Sequence, residues 1–156
     1  MKRAMIGIAV AATVATLASA SAQEADPEKS ILVFKTPWCG CCQVWADKMI
    51  EAGYTVETRD MNDLSLIKKQ GGVTDQLAGC HTSVIGGERK YVLEGHVPIA
   101  AVEKLMSEKP DVRGLAVPGM PQGSLGMGFD DNAQYNVYAY SDRSGEQPAV
   151  FLRMGQ

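Results

Sequence analysis

Long hydrophobic runs are missing from this chain after its first two dozen residues. That absence excludes a membrane-spanning helix in the body of the protein, because a bilayer span needs roughly 20 largely apolar residues and no segment beyond Leu17 approaches that length. Basic clusters interleaved with aromatics are also missing, so nucleic-acid binding has no support; aromatics are 6% of the residues and the formal net charge is -3. Histidine is scarce, His81 and His96 being the only two. No internal repeat is present, and the two separated C-x2-C knuckles that usually frame a structural zinc site are absent.

What stands at the N-terminus reads as a secretory signal. Lys2 and Arg3 supply a positive start, Met5 to Leu17 an apolar centre, and Ala18-Ser19-Ala20-Ser21-Ala22 a small-residue cleavage zone. Residues 1–22 are therefore expected to be a signal peptide, and the mature protein to be periplasmic and free of the membrane. Residues 23–156 are long enough for one domain and short for two. The expected division is a core over 30–109 and a C-terminal loop and hairpin over 110–156 of the same domain.

The richest local feature is Trp38-Cys39-Gly40-Cys41-Cys42, set directly after the apolar run Ile31-Leu32-Val33-Phe34. It is similar to the W-C-G-P-C active site of thioredoxin-like proteins, with Cys41 in place of the proline. Cys39 and Cys42 keep the C-x-x-C spacing of reversible disulfide chemistry. In an exported protein the default fate of four cysteines is disulfides. A bridge between the neighbours Cys41 and Cys42 would be strained, however, so a purely structural framework fits this spacing poorly. Cys80, in Gly79-Cys80-His81, is the fourth sulfur.

The surrounding pattern supports the thioredoxin-like order β-α-β-α-β-β-α. Ile31 to Phe34 predicts a buried strand, and Cys41, Val44, Trp45, Met49 and Ala52 trace the inner stripe of a helix capped by Gly53. Tyr54 to Arg59 predicts a second strand, and Asp60 to Lys69 a short helix. Thr82 to Ile85 and Lys90 to Glu94 flank the hairpin turn Gly86-Gly87-Glu88-Arg89, and a last helix follows Pro98. The fold class is thus α/β, a thioredoxin-like central mixed sheet flanked by helices. A Gly/Pro/Met loop and a β-hairpin (Tyr135 to Tyr140, Ala149 to Met154) are expected to fold back over it. Trp38 and Trp45 are expected to shield the site and fill the core.

In a strand-turn-helix context, Cys39 falls on the loop and Cys42 in the first helical turn. Unpaired N–H groups there stabilise thiolates, which serve equally as nucleophiles and as metal ligands. Adjacent helical side chains point about 100° apart, so Cys41 and Cys42 are better placed to bridge neighbouring ions than to share one tetrahedral ion with Cys39. Thiolates and thioethers favour Cu(I), and an S₄ set also suits zinc. His81, His96, Met120 and Met127 are further candidate ligands, each with an ordinary structural alternative.

Four segments carry a wider resemblance: Cys39-Gly40-Cys41-Cys42, Gly79-Cys80-His81-Thr82, Glu94-Gly95-His96-Val97-Pro98 and Gly114-Leu115-Ala116-Val117-Pro118-Gly119-Met120-Pro121. Together they resemble the CopG-like periplasmic copper-resistance proteins over about Ser30 to Met154. The resemblance implies a thioredoxin-like fold that binds copper through Cys39, Cys41, Cys42 and Cys80, and a role in copper redox handling. The expected function is a Cu(I) thiolate site, multinuclear by the spacing argument. It would serve sequestration, redox cycling, or transfer to a copper efflux or storage protein. A thiol-disulfide oxidoreductase, with Cys39 attacking and Cys42 resolving, is the alternative; a zinc-stabilised structural domain is the third reading. Catalytic turnover is left open.

Overall fold

The computed structural model describes residues 26–155, so the expected signal peptide lies outside the described residues. After a 3-10 turn at Pro27–Lys29 come β1 (Ser30–Lys35), α1 (Gly40–Glu51), β2 (Thr55–Asp60) and α2 (Ser65–Gln70). They are followed by β3 (Thr82–Ile85), β4 (Tyr91–Glu94), α3 (Ile99–Glu108), β5 (Gly114–Ala116), β6 (Tyr135–Tyr140) and β7 (Ala149–Met154). The strands form one mixed sheet in the order β2-β1-β3-β4-β5-β6-β7. β1–β2 and β4–β5 are parallel, and the other neighbours antiparallel. This is the expected α/β class, and the first seven major elements keep the expected order.

Several local expectations change in detail. β1 is buried on alternate residues: Ile31 and Val33 enter the core while Leu32 and Phe34 are only half-buried. Lys35 also turns inward, and its ammonium reaches the Asp60 carboxylate at 2.7 Å across the paired strand. Because β2 runs on to Asp60, helix α2 cannot begin there. Asp63 instead accepts the Ser65 N–H at 2.8 Å at the start of a helix shorter than expected.

α1 buries Cys42, Trp45, Ala46 and Met49, a stripe at i, i+3, i+4 and i+7. The inner face is therefore rotated from the expected one: Val44 is 43% exposed and Cys42 is fully buried. Gly53 takes a φ of +89°, a left-handed stop just beyond the helix, as its glycine suggests. The buried Trp45 indole N–H donates to the Val97 carbonyl at 2.9 Å, tying α1 to the segment before α3.

The C-terminal region departs most from expectation. Gly114–Ala116 had no strand signal, yet it forms β5 and pairs with β4. β6 and β7 then extend the same sheet instead of folding back over it. Gly114 is required at this contact, since a Cβ there would sit 2.1 Å from the Val92 carbonyl oxygen. Leu115, Val117 and Val137 join Trp45, Leu93 and Leu105 in one apolar cluster.

Candidate metal centre

The N-terminus of α1 and the segment entering β3 build the site. Cys39 is the N-cap of α1, where positive helix potential favours a thiolate. Cys42 is one turn inside and fully buried. The two are joined as a disulfide, with Cα atoms 5.4 Å apart. Cys41 and Cys80 are free and half-buried. Cys41 Sγ lies 3.6 Å from Cys39 Sγ, and Cys80 Sγ lies 3.4 Å from Cys42 Sγ. All four sulfurs fall within 4.8 Å of one another.

Both histidines adjoin this group through Cys80. His96 Nε2 stands 2.8 Å from Cys80 Sγ, while His96 Nδ1 faces the Leu125 carbonyl. A carbonyl only accepts, so Nδ1 carries the proton and donates it, leaving the Nε2 lone pair aimed at Cys80. His81 Nδ1 is 3.5 Å from the same sulfur. Its ring packs between Trp45 and His96, with centroids 4.6 and 5.2 Å away, and its buried Nε2 has no hydrogen-bond partner. Cys42, Cys80, His81 and His96 form a second set of potential ligand atoms within 4.8 Å.

Burial sets the protonation states. Desolvation, then the nearby His96 and Lys68, hold His81 well below the ordinary histidine range. Desolvation also lowers His96, against the opposing bond to Leu125. Both rings are therefore neutral at physiological pH, the form in which imidazole ligates metals. Burial, and next the adjacent Cys41, push the Cys80 thiol up to about 12. A metal arriving at Cys80 must displace that proton.

The remaining candidates are placed differently. Met120 is 53% exposed, and it follows Gly119, whose N–H donates to the Ala78 carbonyl at 2.9 Å beside the Cys80 segment. Met127 is half-buried in the loop that carries Leu125. Trp38 does not shield the site as expected: it is 71% exposed, on the turn before the N-cap, while Trp45 alone faces inward.

Two features were not read from the sequence. The first is a buried carboxylate, Glu94, at the end of β4. Glu94 Oε1 accepts from the Lys68 ammonium and from the Gly79 N–H (2.7 Å), and its Oε2 accepts from the Thr82 hydroxyl (2.6 Å). Lys68 Nζ also donates to the Gly79 carbonyl at 3.0 Å. Both backbone polar groups of Gly79 are thus clamped by one ion pair, which fixes the chain immediately before Cys80. A lone charge ending the apolar strand Tyr91-Val92-Leu93-Glu94 was the available signal; Lys68 offered none.

The second is Gly126, with a φ of +89°. A Cβ there would meet the Cys41 carbonyl oxygen at 2.9 Å, the Trp45 nitrogen at 3.0 Å and His96 Nδ1 at 3.3 Å. Gly126→Ala is expected to cost about 1–3 kcal/mol through strain. It should also pull the Leu125 carbonyl from His96 and weaken metal uptake. Urea unfolding and metal titration of the variant check this together; unchanged values in both would refute it.

A solved structure described as "Copper resistance protein copG- Form 1" is 36% identical to this chain, with a TM-score of 0.72. The match covers 81% of this chain and 98% of the other. The chain belongs to the CopG family. A second structure, "Copper resistance protein copG- Form 2", is 37% identical to this chain with a TM-score of 0.70, the match covering 80% of this chain and 96% of that one. A family model described as "Protein of unknown function, DUF411" matches residues 77–127, the stretch that carries Cys80, His81, His96 and Met120. No curated protein matches. Among the described residues, no helix is long and apolar enough to cross a membrane.

Proposed function

We propose that this CopG-family chain is a periplasmic copper-binding protein. It holds Cu(I) in a thiolate site made by Cys39, Cys41, Cys42 and Cys80, with His96 and His81 as accompanying nitrogen donors. The observation that carries this reading is the gathering of four sulfurs within 4.8 Å, with His96 Nε2 directed at one of them. Soft sulfur donors select Cu(I) over harder ions. Six donor atoms in two overlapping sets of four, joined through Cys42 and Cys80, exceed the four that a single tetrahedral ion uses, which favours more than one copper ion. The exposed thioether of Met120 suits a rim position for copper passing to or from an efflux or storage partner.

The Cys39–Cys42 disulfide supports a redox component. As thiolates, the pair can give one electron to each of two Cu(II) ions, producing the disulfide and two Cu(I) ions. An outside dithiol or electron donor would then reset the pair. With the disulfide closed, two of the four sulfurs are withdrawn from ligation, so oxidation and copper capacity are linked. The apolar cluster shared by Leu115, Val137 and Trp45 supports treating residues 23–156 as one domain.

Anaerobic titration of the reduced protein with Cu(I), against a competing chelator, tests the assignment. Uptake of more than one equivalent, falling when the disulfide is closed, is expected. A chain that takes one zinc ion and no excess Cu(I) would be the zinc-stabilised domain instead.

A further inference from the structure

We propose that Cys80 attacks the resting disulfide from inside the protein, converting the Cys39–Cys42 bridge into a Cys42–Cys80 bridge and freeing Cys39 beside Cys41. The geometry separates the two ends of the disulfide. Cys42 is fully buried, so a thiol in solution reaches only the half-exposed Cys39. Cys80 Sγ, by contrast, is already 3.4 Å from Cys42 Sγ within the protein.

Each disulfide sulfur has a free thiol at its side, and the leaving group distinguishes them. Attack by Cys41 on Cys39, 3.6 Å away, would expel Cys42 as a buried thiolate. Attack by Cys80 on Cys42 expels Cys39 at the helix N-cap, partly open to water. Helix N–H groups stabilise that thiolate, and a better-stabilised thiolate leaves faster. The inner route is therefore preferred.

The step is an isomerisation and needs no oxidant. A sulfur lone pair of Cys80 forms the bond to Cys42 Sγ, and the electron pair of the broken bond leaves on Cys39. The Cys80 proton ends on the departing Cys39, relayed by His96 Nε2, 2.8 Å from Cys80 Sγ, and by solvent at the half-exposed Cys39. One disulfide and two free thiols exist before and after. The product differs in what it exposes, because Cys39 and Cys41 become adjacent free sulfurs on the outer lip of the site. That pair suits a single soft monovalent ion, so an oxidised chain could capture one Cu(I) without prior reduction. This last consequence rests on the copper reading; the exchange itself does not.

Disulfide mapping of the oxidised, metal-free protein tests the exchange. After equilibration at neutral pH, acid quenching and alkylation of free thiols, trypsin cuts after Lys35, Lys48, Lys69 and Arg89. Residues 36–48 then carry Cys39, Cys41 and Cys42, and residues 70–89 carry Cys80. The resting bridge leaves these peptides separate, whereas the exchanged bridge links them with two alkylated thiols on 36–48. A linked pair joined through Cys42 and Cys80 is expected, rising several-fold when one equivalent of Cu(I) is added before quenching. Absence of the linked pair under both conditions, or a link through Cys39 or Cys41, would overturn the proposal. A linked pair that ignores Cu(I) would retain the exchange and remove its capture role. The reduced protein's Cu(I) capacity, measured separately, shows whether the copper reading stands when the exchange does not.

Discussion

Cys41→Ser is expected to reduce the Cu(I) capacity of the reduced protein to one equivalent or less, while the Cys39–Cys42 pair still opens and closes. Cys41 is half-exposed and lies outside the apolar core, so serine should leave the fold intact. Its sulfur is 3.6 Å from Cys39 Sγ and within 4.8 Å of the other two. Bridging between ions depends on that position, and a hydroxyl is a hard, weak ligand for Cu(I). Chelator-competed titration reports the lost capacity, and thiol counting after oxidation reports the surviving pair. Full retention of the wild-type capacity would mean that the third sulfur of the motif is not a ligand, and the multinuclear reading would fall with it.

Glu94→Ala is expected to lower the unfolding free energy by about 3 kcal/mol, the lower end of the cost of breaking a buried ion pair. The lower end applies because Glu94 is fully buried whereas the Lys68 side chain is 20% exposed and can reach water. Alanine would also strand the Gly79 N–H and the Thr82 hydroxyl, which both donate to this carboxylate. The damage is local to Cys80, so copper capacity should fall as well in the fraction that remains folded. A paired change, Glu94→Leu with Lys68→Met, removes both charges and should cost less than the single substitution. Urea denaturation of the three proteins decides it. A loss below about 1 kcal/mol for Glu94→Ala, the scale of an exposed ion pair, would show that the clamp contributes little.

The legible parts of this protein were local ones. Cys39 and Cys42 could be placed on a turn and a first helical turn because strand, turn and helix are contiguous there. The hairpin around Gly86 and Gly87 was readable for the same reason, since its turn chemistry lies within a few residues. Val44 shows where this fails: two neighbouring stripes of α1 were both apolar enough to face inward, and packing against Val97 and His81 selected the one containing Cys42 and Trp45. Trp38 was misassigned because its size suggested burial, yet the N-cap leaves it on the outer turn.

From the sequence alone came the α/β class, the element order as far as α3, the chemical identity of the sulfur donors and the helix terminus that activates them. These follow from periodicity, turn residues and motif spacing, all of which act over short stretches of chain. Only the tertiary structure decided that Cys80 and both histidines meet the motif, that Lys68 and Glu94 clamp the approach, and that Gly114–Ala116 becomes a strand. A three-residue strand exists because β4 offers it an unpaired edge. A buried carboxylate exists because a lysine 26 positions earlier arrives to neutralise it. Such pairings depend on which distant surfaces share a desolvated volume, and no local pattern of residues encodes that.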